Sequence, residues 1–154
     1  MDSVPREVRR DTLFILLANA IQFFEGQYLM SLEISVEVLP KYVQIELSGF
    51  YTFSDMMEGV EKFRFEADKA GRNQILLDTR SLEGRMTESE KFFCGTRMAE
   101  VFGARLKTAV IVAPGTLTKM GEMAGVNRGA RLFVTESITE AIGWLEKPSA
   151  VSQV

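Results

Sequence analysis

Two runs of strict apolar–polar alternation open the patterned part of the chain. The first is Glu33-Ile34-Ser35-Val36-Glu37-Val38, which predicts a half-buried strand with Ile34, Val36 and Val38 inward. Leu39-Pro40-Lys41 breaks it. Alternation resumes from Tyr42 to Leu47, with Val43, Ile45 and Leu47 on one face. Two such runs joined by a short turn predict an antiparallel pair.

After Gly49 the period changes to that of a helix. Met56, Val60, Phe63, Ala67 and Ala70 form one stripe. Thr52 and Ser54 are candidate N-caps, Thr52-x-x-Asp55 is a capping-box pattern, and Gly71 is a natural stop. Gln74 to Asp78 is a short apolar run without alternation, expected of a strand covered on both faces. A loop from Thr79 to Met86 follows. Thr87-x-x-Glu90 is a second capping box and opens a helix to about Gly103, with Phe92, Ala99 and Phe102 on one face and Cys94, Met98 and Val101 on the next. Thr108 to Val112 is the most apolar run and predicts the central strand. Pro114-Gly115 leads to a short helix around Met120, Met123 and Ala124. Arg131 to Val134 is the last strand. Ser137-x-x-Glu140 caps a final helix with Ile138, Ala141, Ile142 and Leu145 as its stripe, stopped at Lys147-Pro148.

Strands alternating with helices predict the α/β class: a mixed, mostly parallel five-stranded sheet with an antiparallel N-terminal strand pair and about four packed helices. The domain is read as residues 31–147, with 148–154 a frayed tail and 1–30 an extension outside the core. Arg6, Arg9 and Arg10 ahead of Leu13–Leu17 and the triplet Ala18-Asn19-Ala20 have the layout of a secretory leader. Glu7 and Asp11 interrupt its basic start. An upstream extension before Met30, or a loose helix, fits equally. The apolar stretch is too short to span a bilayer, so no transmembrane segment is expected.

Composition narrows the chemistry. The chain has 154 residues and a net charge of −3, and no Lys/Arg cluster lies inside the patterned stretch, which argues against a nucleic-acid partner. It has no histidine and a single cysteine, Cys94. That removes Ser-His-Asp and Cys-His catalysis, histidine metal sites and intramolecular disulfides. The lone cysteine accords with a cytoplasmic setting. No G-x-x-x-x-G-K-[ST] or G-x-G-x-x-G motif occurs, so Gly115, Gly121, Gly125 and Gly129 are read as turns and helix ends. No cofactor or metal is implied.

The pieces Tyr42-Val43-Gln44-Ile45-Glu46-Leu47-Ser48-Gly49, Ile75-Leu76-Leu77-Asp78, Thr108–Val112, Arg131–Val134 and Ala141-Ile142-Gly143-Trp144-Leu145 together resemble the STAS superfamily, in particular its SpoIIAA-like branch. That branch has a shape kinship to CRAL-TRIO lipid-transfer domains. The resemblance covers about Leu32 to Leu145 and implies a bacterial regulatory module acting through protein partners. In anti-sigma factor antagonists a kinase phosphorylates a serine at the start of the second helix. Thr87 stands close to that position, but Met86 replaces the preceding Asp, and Glu88-Ser89 replaces the small pair that follows.

Candidate site residues gather at the carboxyl ends of the strands, where open α/β sheets bind ligands. They are Phe50, Tyr51, Ser54, Asp78, Arg80 and Arg85, with Thr87 as a candidate phosphosite. Arg80 and Arg85 suit an anionic group, and ordinary loop charges explain them equally well. Thr87 also reads simply as an N-cap. Cys94, among Phe92, Phe93 and Met98, reads as a packed thiol. Eight methionines and eleven phenylalanines exceed what the predicted stripes absorb, which points to a partner surface or an apolar groove. The expected function is therefore a non-enzymatic binding module with a regulatory protein partner. The alternative is a carrier or sensor for a small apolar or lipid ligand. A small enzyme using only carboxylates (Asp55, Asp78, Glu83) ranks third. A homodimer is left open.

Overall fold

In a computed structural model, residues 32–148 are described. They form β1 (Leu32–Val38), β2 (Val43–Phe50), α1 (Phe53–Ala70), β3 (Gln74–Glu83), α2 (Glu88–Phe102), β4 (Lys107–Ile111), α3 (Met120–Val126), β5 (Arg131–Thr135) and α4 (Ile138–Glu146). The strands make one sheet in the order β1-β2-β3-β4-β5. β1 and β2 are antiparallel, and every later pair is parallel. This is the predicted mixed sheet with four helices. The expectations for residues 1–30, and for the tail beyond Pro148, lie outside the described residues.

Strand alternation divides the interior into two layers. Val43, Ile45, Leu47, Ile75, Leu77, Val110 and Leu132 face one way and pack under Met56, Val60 and Phe63 of α1 and Met98 and Phe102 of α2. Leu76, Ala109 and Ile111 face the other way and pack on Ala141 and Leu145 of α4. Each helix begins where its cap signal stands. Thr52, Thr87 and Ser137 accept the backbone N–H of Asp55, Glu90 and Glu140. Gly71 closes α1 in the left-handed region, at φ 66°.

Several expectations change. Val36 and Val38 are 36% and 53% exposed, although they share the core face of β1. α1 meets this edge strand near Leu32, which lies against Gly59, and leaves its far end uncovered. Alternation sets the face a residue points to, not whether that face is covered.

β3 runs five residues past Asp78, through what the pattern reads as loop. Asp78 pairs with Glu46 and Ser81 with Ser48, so Thr79 and Arg80 oppose the single residue Leu47. This is a β-bulge, and the extra residue disrupts the alternation that would reveal the strand. The Arg80 N–H turns to the Asp78 carboxylate instead, at 3.1 Å.

β4 is fully buried but is not central; β3 is. The high apolarity of β4 reflects cover on both faces rather than its place in the order. Met120 and Met123 lie exposed on α3, and Ala124 is buried. Gly121 and Gly125 lie near the two ends of α3 and press against Lys91 and Gly95 of α2, and Gly115 and Gly129 are turn glycines with positive φ, in line with their reading as helix ends and turns. Among the described residues no helix is long and apolar enough to cross a membrane.

Candidate functional site

A cleft of about 360 Å³ opens at the carboxyl ends of the central strands. Its floor comes from Leu77 of β3, Val110 of β4, and Cys94 and Met98 of α2; Met56 and Tyr51 close the α1 side. The β3–α2 loop supplies Gly84, Arg85 and Met86, and the segment after β4 supplies Val112, Thr116 and Thr118. Gly84 permits the tight exit from β3, at φ 92°, and passes under Tyr51. A smaller recess shares much of this wall and reaches toward Gly121, Leu132 and Val134.

The polar groups at the rim are mostly engaged with the protein. Lys91 Nζ donates to Glu88 Oε1 at 3.0 Å, Thr118 Oγ1 at 3.1 Å and the Thr116 carbonyl at 3.3 Å, tying α2 to the loop after β4. The Thr79 and Thr116 hydroxyls donate to the carbonyls of Ile111 and Ala113. Two groups differ. Arg85 is exposed, with no ion pair or hydrogen bond among the described residues. The Tyr51 hydroxyl is enclosed and faces the Glu90 carboxylate, outside good hydrogen-bond geometry. Burial, and then the neighbouring Glu90 carboxylate, push its pKa well above the ordinary 10. Cys94 is buried in the floor, and desolvation pushes its thiol up to about 12.

The residues expected to form one surface divide between the two faces of the sheet. Asp78 aligns with Ile111, on the α4 side, whereas Leu77 and Thr79 line the cleft on the opposite side. Asp78 and Arg80 are consumed by each other: Arg80 Nε reaches Oδ1 at 3.0 Å and Nη2 reaches Oδ2 at 2.8 Å. Burial alone would raise the Asp78 pKa; the paired guanidinium and the Arg80 N–H outweigh it and hold the carboxyl below its usual range. Arg80 and Arg85 therefore do not converge on one anion.

Phe50 ends β2 and is 64% exposed. Ser54 lies exposed in the first turn of α1, where Thr52 is the cap. Thr87 is exposed and forms a complete capping box, accepting from the Glu90 N–H while Glu90 Oε2 accepts from the Thr87 N–H at 2.8 Å. Beside these residues lies an aromatic row. The Phe53 and Phe93 rings meet edge to face at 6.3 Å, Phe93 and Phe92 at 5.7 Å, and the Arg128 guanidinium covers Phe92 at 4.9 Å.

Sequence reasoning did not single out Lys91, Thr116 and Thr118. Only the approach of the loop after β4 brings Lys91 into contact with Thr116 and Thr118 at the cleft.

This architecture matches a solved structure. An anti-sigma factor antagonist from Mycobacterium paratuberculosis superposes with a TM-score of 0.53 at 12% identity, over 76% of this chain and 96% of that one. The domain shares the fold of that protein. A protein with a SpoIIAA-like fold from Shewanella loihica (21% identity, 75% of this chain and 93% of that one, TM-score 0.47) is also similar. So is the unphosphorylated form of the anti-sigma factor antagonist SpoIIAA (18%, 71% and 93%, TM-score 0.43). No protein-family model matches the sequence, and neither does any curated protein. In this fold the cleft sits on the edge formed by the carboxyl ends of β2, β3 and β4, beside the start of α2.

Proposed function

We propose that this domain is a non-enzymatic regulatory module that works by binding a protein partner at the carboxyl-end edge of its sheet. The observation that carries this reading is the row Phe53–Phe93–Phe92–Arg128, with Phe93 54% exposed. Aromatic side chains and arginine are the types enriched in the cores of protein interfaces. Exposed Phe50 and Thr87 share the edge, and the fold likeness to an anti-sigma factor antagonist supports the same reading. Phosphorylation at Thr87 would break its capping box and set new charge beside Glu88 and Glu90, which makes this position a switch point in the same proposal. A cytoplasmic setting accords with the single, buried, unpaired cysteine.

The test is affinity capture of host proteins with wild type, Phe50→Ala/Phe93→Ala and Thr87→Glu. Loss of a shared partner from the double variant, at unchanged thermal stability, supports the proposal. Identical partners with equal affinity for all three proteins would sink it.

The cleft favours the second reading, a carrier or sensor for a small apolar ligand. Eight of its lining residues are apolar or thiol side chains from Met56 to Val112, the usual composition of a small-molecule site. The carboxylate-only enzyme is not favoured, because both Asp78 oxygens are held by Arg80.

A further inference from the structure

The cleft has a chemical asymmetry that narrows its ligand. Its floor is apolar, and its volume of about 360 Å³ is at the lower end of the roughly 300–1,000 Å³ typical of small-molecule sites. The charged side chains that line it, Arg85 and Lys91, are both cationic. Lys91 is already answered by Glu88 and Thr118. Arg85 has no partner among the described residues and stands at the mouth. The Tyr51 hydroxyl, in the same wall, is enclosed and faces the Glu90 carboxylate, so it is turned to the protein rather than to a ligand. A neutral apolar ligand would gain nothing from Arg85, and a cationic one would meet repulsion. An anionic head on an apolar body satisfies every feature, since guanidinium binds carboxylate by paired, charge-assisted hydrogen bonds.

We propose that the cleft binds a small amphiphile of the fatty-carboxylate class, its head at Arg85 and its chain against Leu77, Cys94, Met98 and Val110. This rests on the apolar-ligand reading above and adds the charge and position of the head group. The half-buried Leu82 side chain also lines the cleft, so a larger residue there obstructs entry.

Octanoate and 1-octanol, titrated separately into the full chain and followed by amide NMR, provide the test. Octanoate is expected to bind at least about tenfold tighter than 1-octanol, equivalent to about 1.4 kcal/mol, with shifts at Arg85, Met86, Cys94 and Val112. Arg85→Ala, an exposed loop change, should abolish that preference and leave 1-octanol binding in place. Leu82→Trp should weaken both ligands. Equal binding of the two probes, or an octanoate affinity untouched by Arg85→Ala, would overturn the anionic assignment while the apolar-ligand reading stands. Failure of both probes to bind at millimolar concentration would overturn that reading too.

Discussion

Gly95 and Gly121 bring α2 and α3 into backbone contact: a Cβ on Gly95 would overlap the Gly121 carbonyl oxygen. Gly125 extends the contact, since a Cβ there would lie 3.0 Å from the Gly95 carbonyl oxygen. This seam holds the short helix α3 against α2, beside the smaller recess that Gly121 lines.

Gly95→Ala is accordingly expected to destabilise the fold by about 3 kcal/mol, the upper end for overpacking, because backbone rather than a flexible side chain must yield. Gly143, inside α4, has open space around its Cβ direction. Gly143→Ala should stabilise by about 0.5–1 kcal/mol through helix propensity. Urea unfolding of the two variants checks both signs. A neutral Gly95→Ala would mean that the helices separate freely.

The Asp78–Arg80 pair should make a pH-dependent contribution. Its folded carboxyl pKa is depressed, so the stabilisation is present above the unfolded value of about 3.9 and is lost as pH falls through the lower folded value. Arg80 is partly exposed, so Arg80→Met should cost only about 1–2 kcal/mol at pH 7. That deficit should shrink toward zero once Asp78 is protonated, below the ordinary carboxylate range. Denaturant unfolding of wild type and variant across this range measures it; a deficit that persists in acid would show that the arginine acts through packing alone.

Lys107 is buried and its ammonium donates to the carbonyls of Trp144, Lys147 and Leu145, at 2.6, 2.7 and 3.2 Å. It thus caps the C-terminal end of α4 and lies 4.7 Å from the Trp144 ring centre. Lys107→Met keeps the stem but strands those carbonyls, and should cost about 2–3 kcal/mol. Trp144 fluorescence should report local loosening before global unfolding. An unchanged midpoint and spectrum would show that water replaces the ammonium without loss.

Cys94, with its thiol raised to about 12 by burial, should be inert in the native state. Its reaction with a thiol-specific disulfide reagent at pH 8 should be more than about a hundredfold slower than in denaturant, because thiolate and access are both lacking. Rapid labelling of the folded chain would point to opening of the cleft floor.

Much of the architecture was legible in local pattern. Alternation marked β1 and β2, a 3.6-residue stripe marked α1, and the Ser/Thr signals at Thr52, Thr87 and Ser137 marked three helix starts. These signals work because caps and amphipathic periods involve residues within one or two turns of each other. The resemblance built on whole-domain pieces likewise pointed to the fold found. The sequence placed candidate site residues at the carboxyl edge, since strand ends follow from element order alone.

Side-chain convergence required tertiary structure. The bulge at Thr79 and Arg80 exists only through the register between β2 and β3, and it is there that Arg80 folds back onto Asp78. That register leaves Arg85 on the other face of the sheet, at the cleft. The Gly95–Gly121 seam depends on two helices 25 or so residues apart meeting at one depth, and the roles of Lys91 and Lys107 depend on loops and helix ends that pattern does not bring near them. Composition and periodicity determine which faces are apolar. Contacts between elements decide which of those faces are covered, which charges cancel and which stay open to a ligand, because these depend on distances across the fold rather than along the chain.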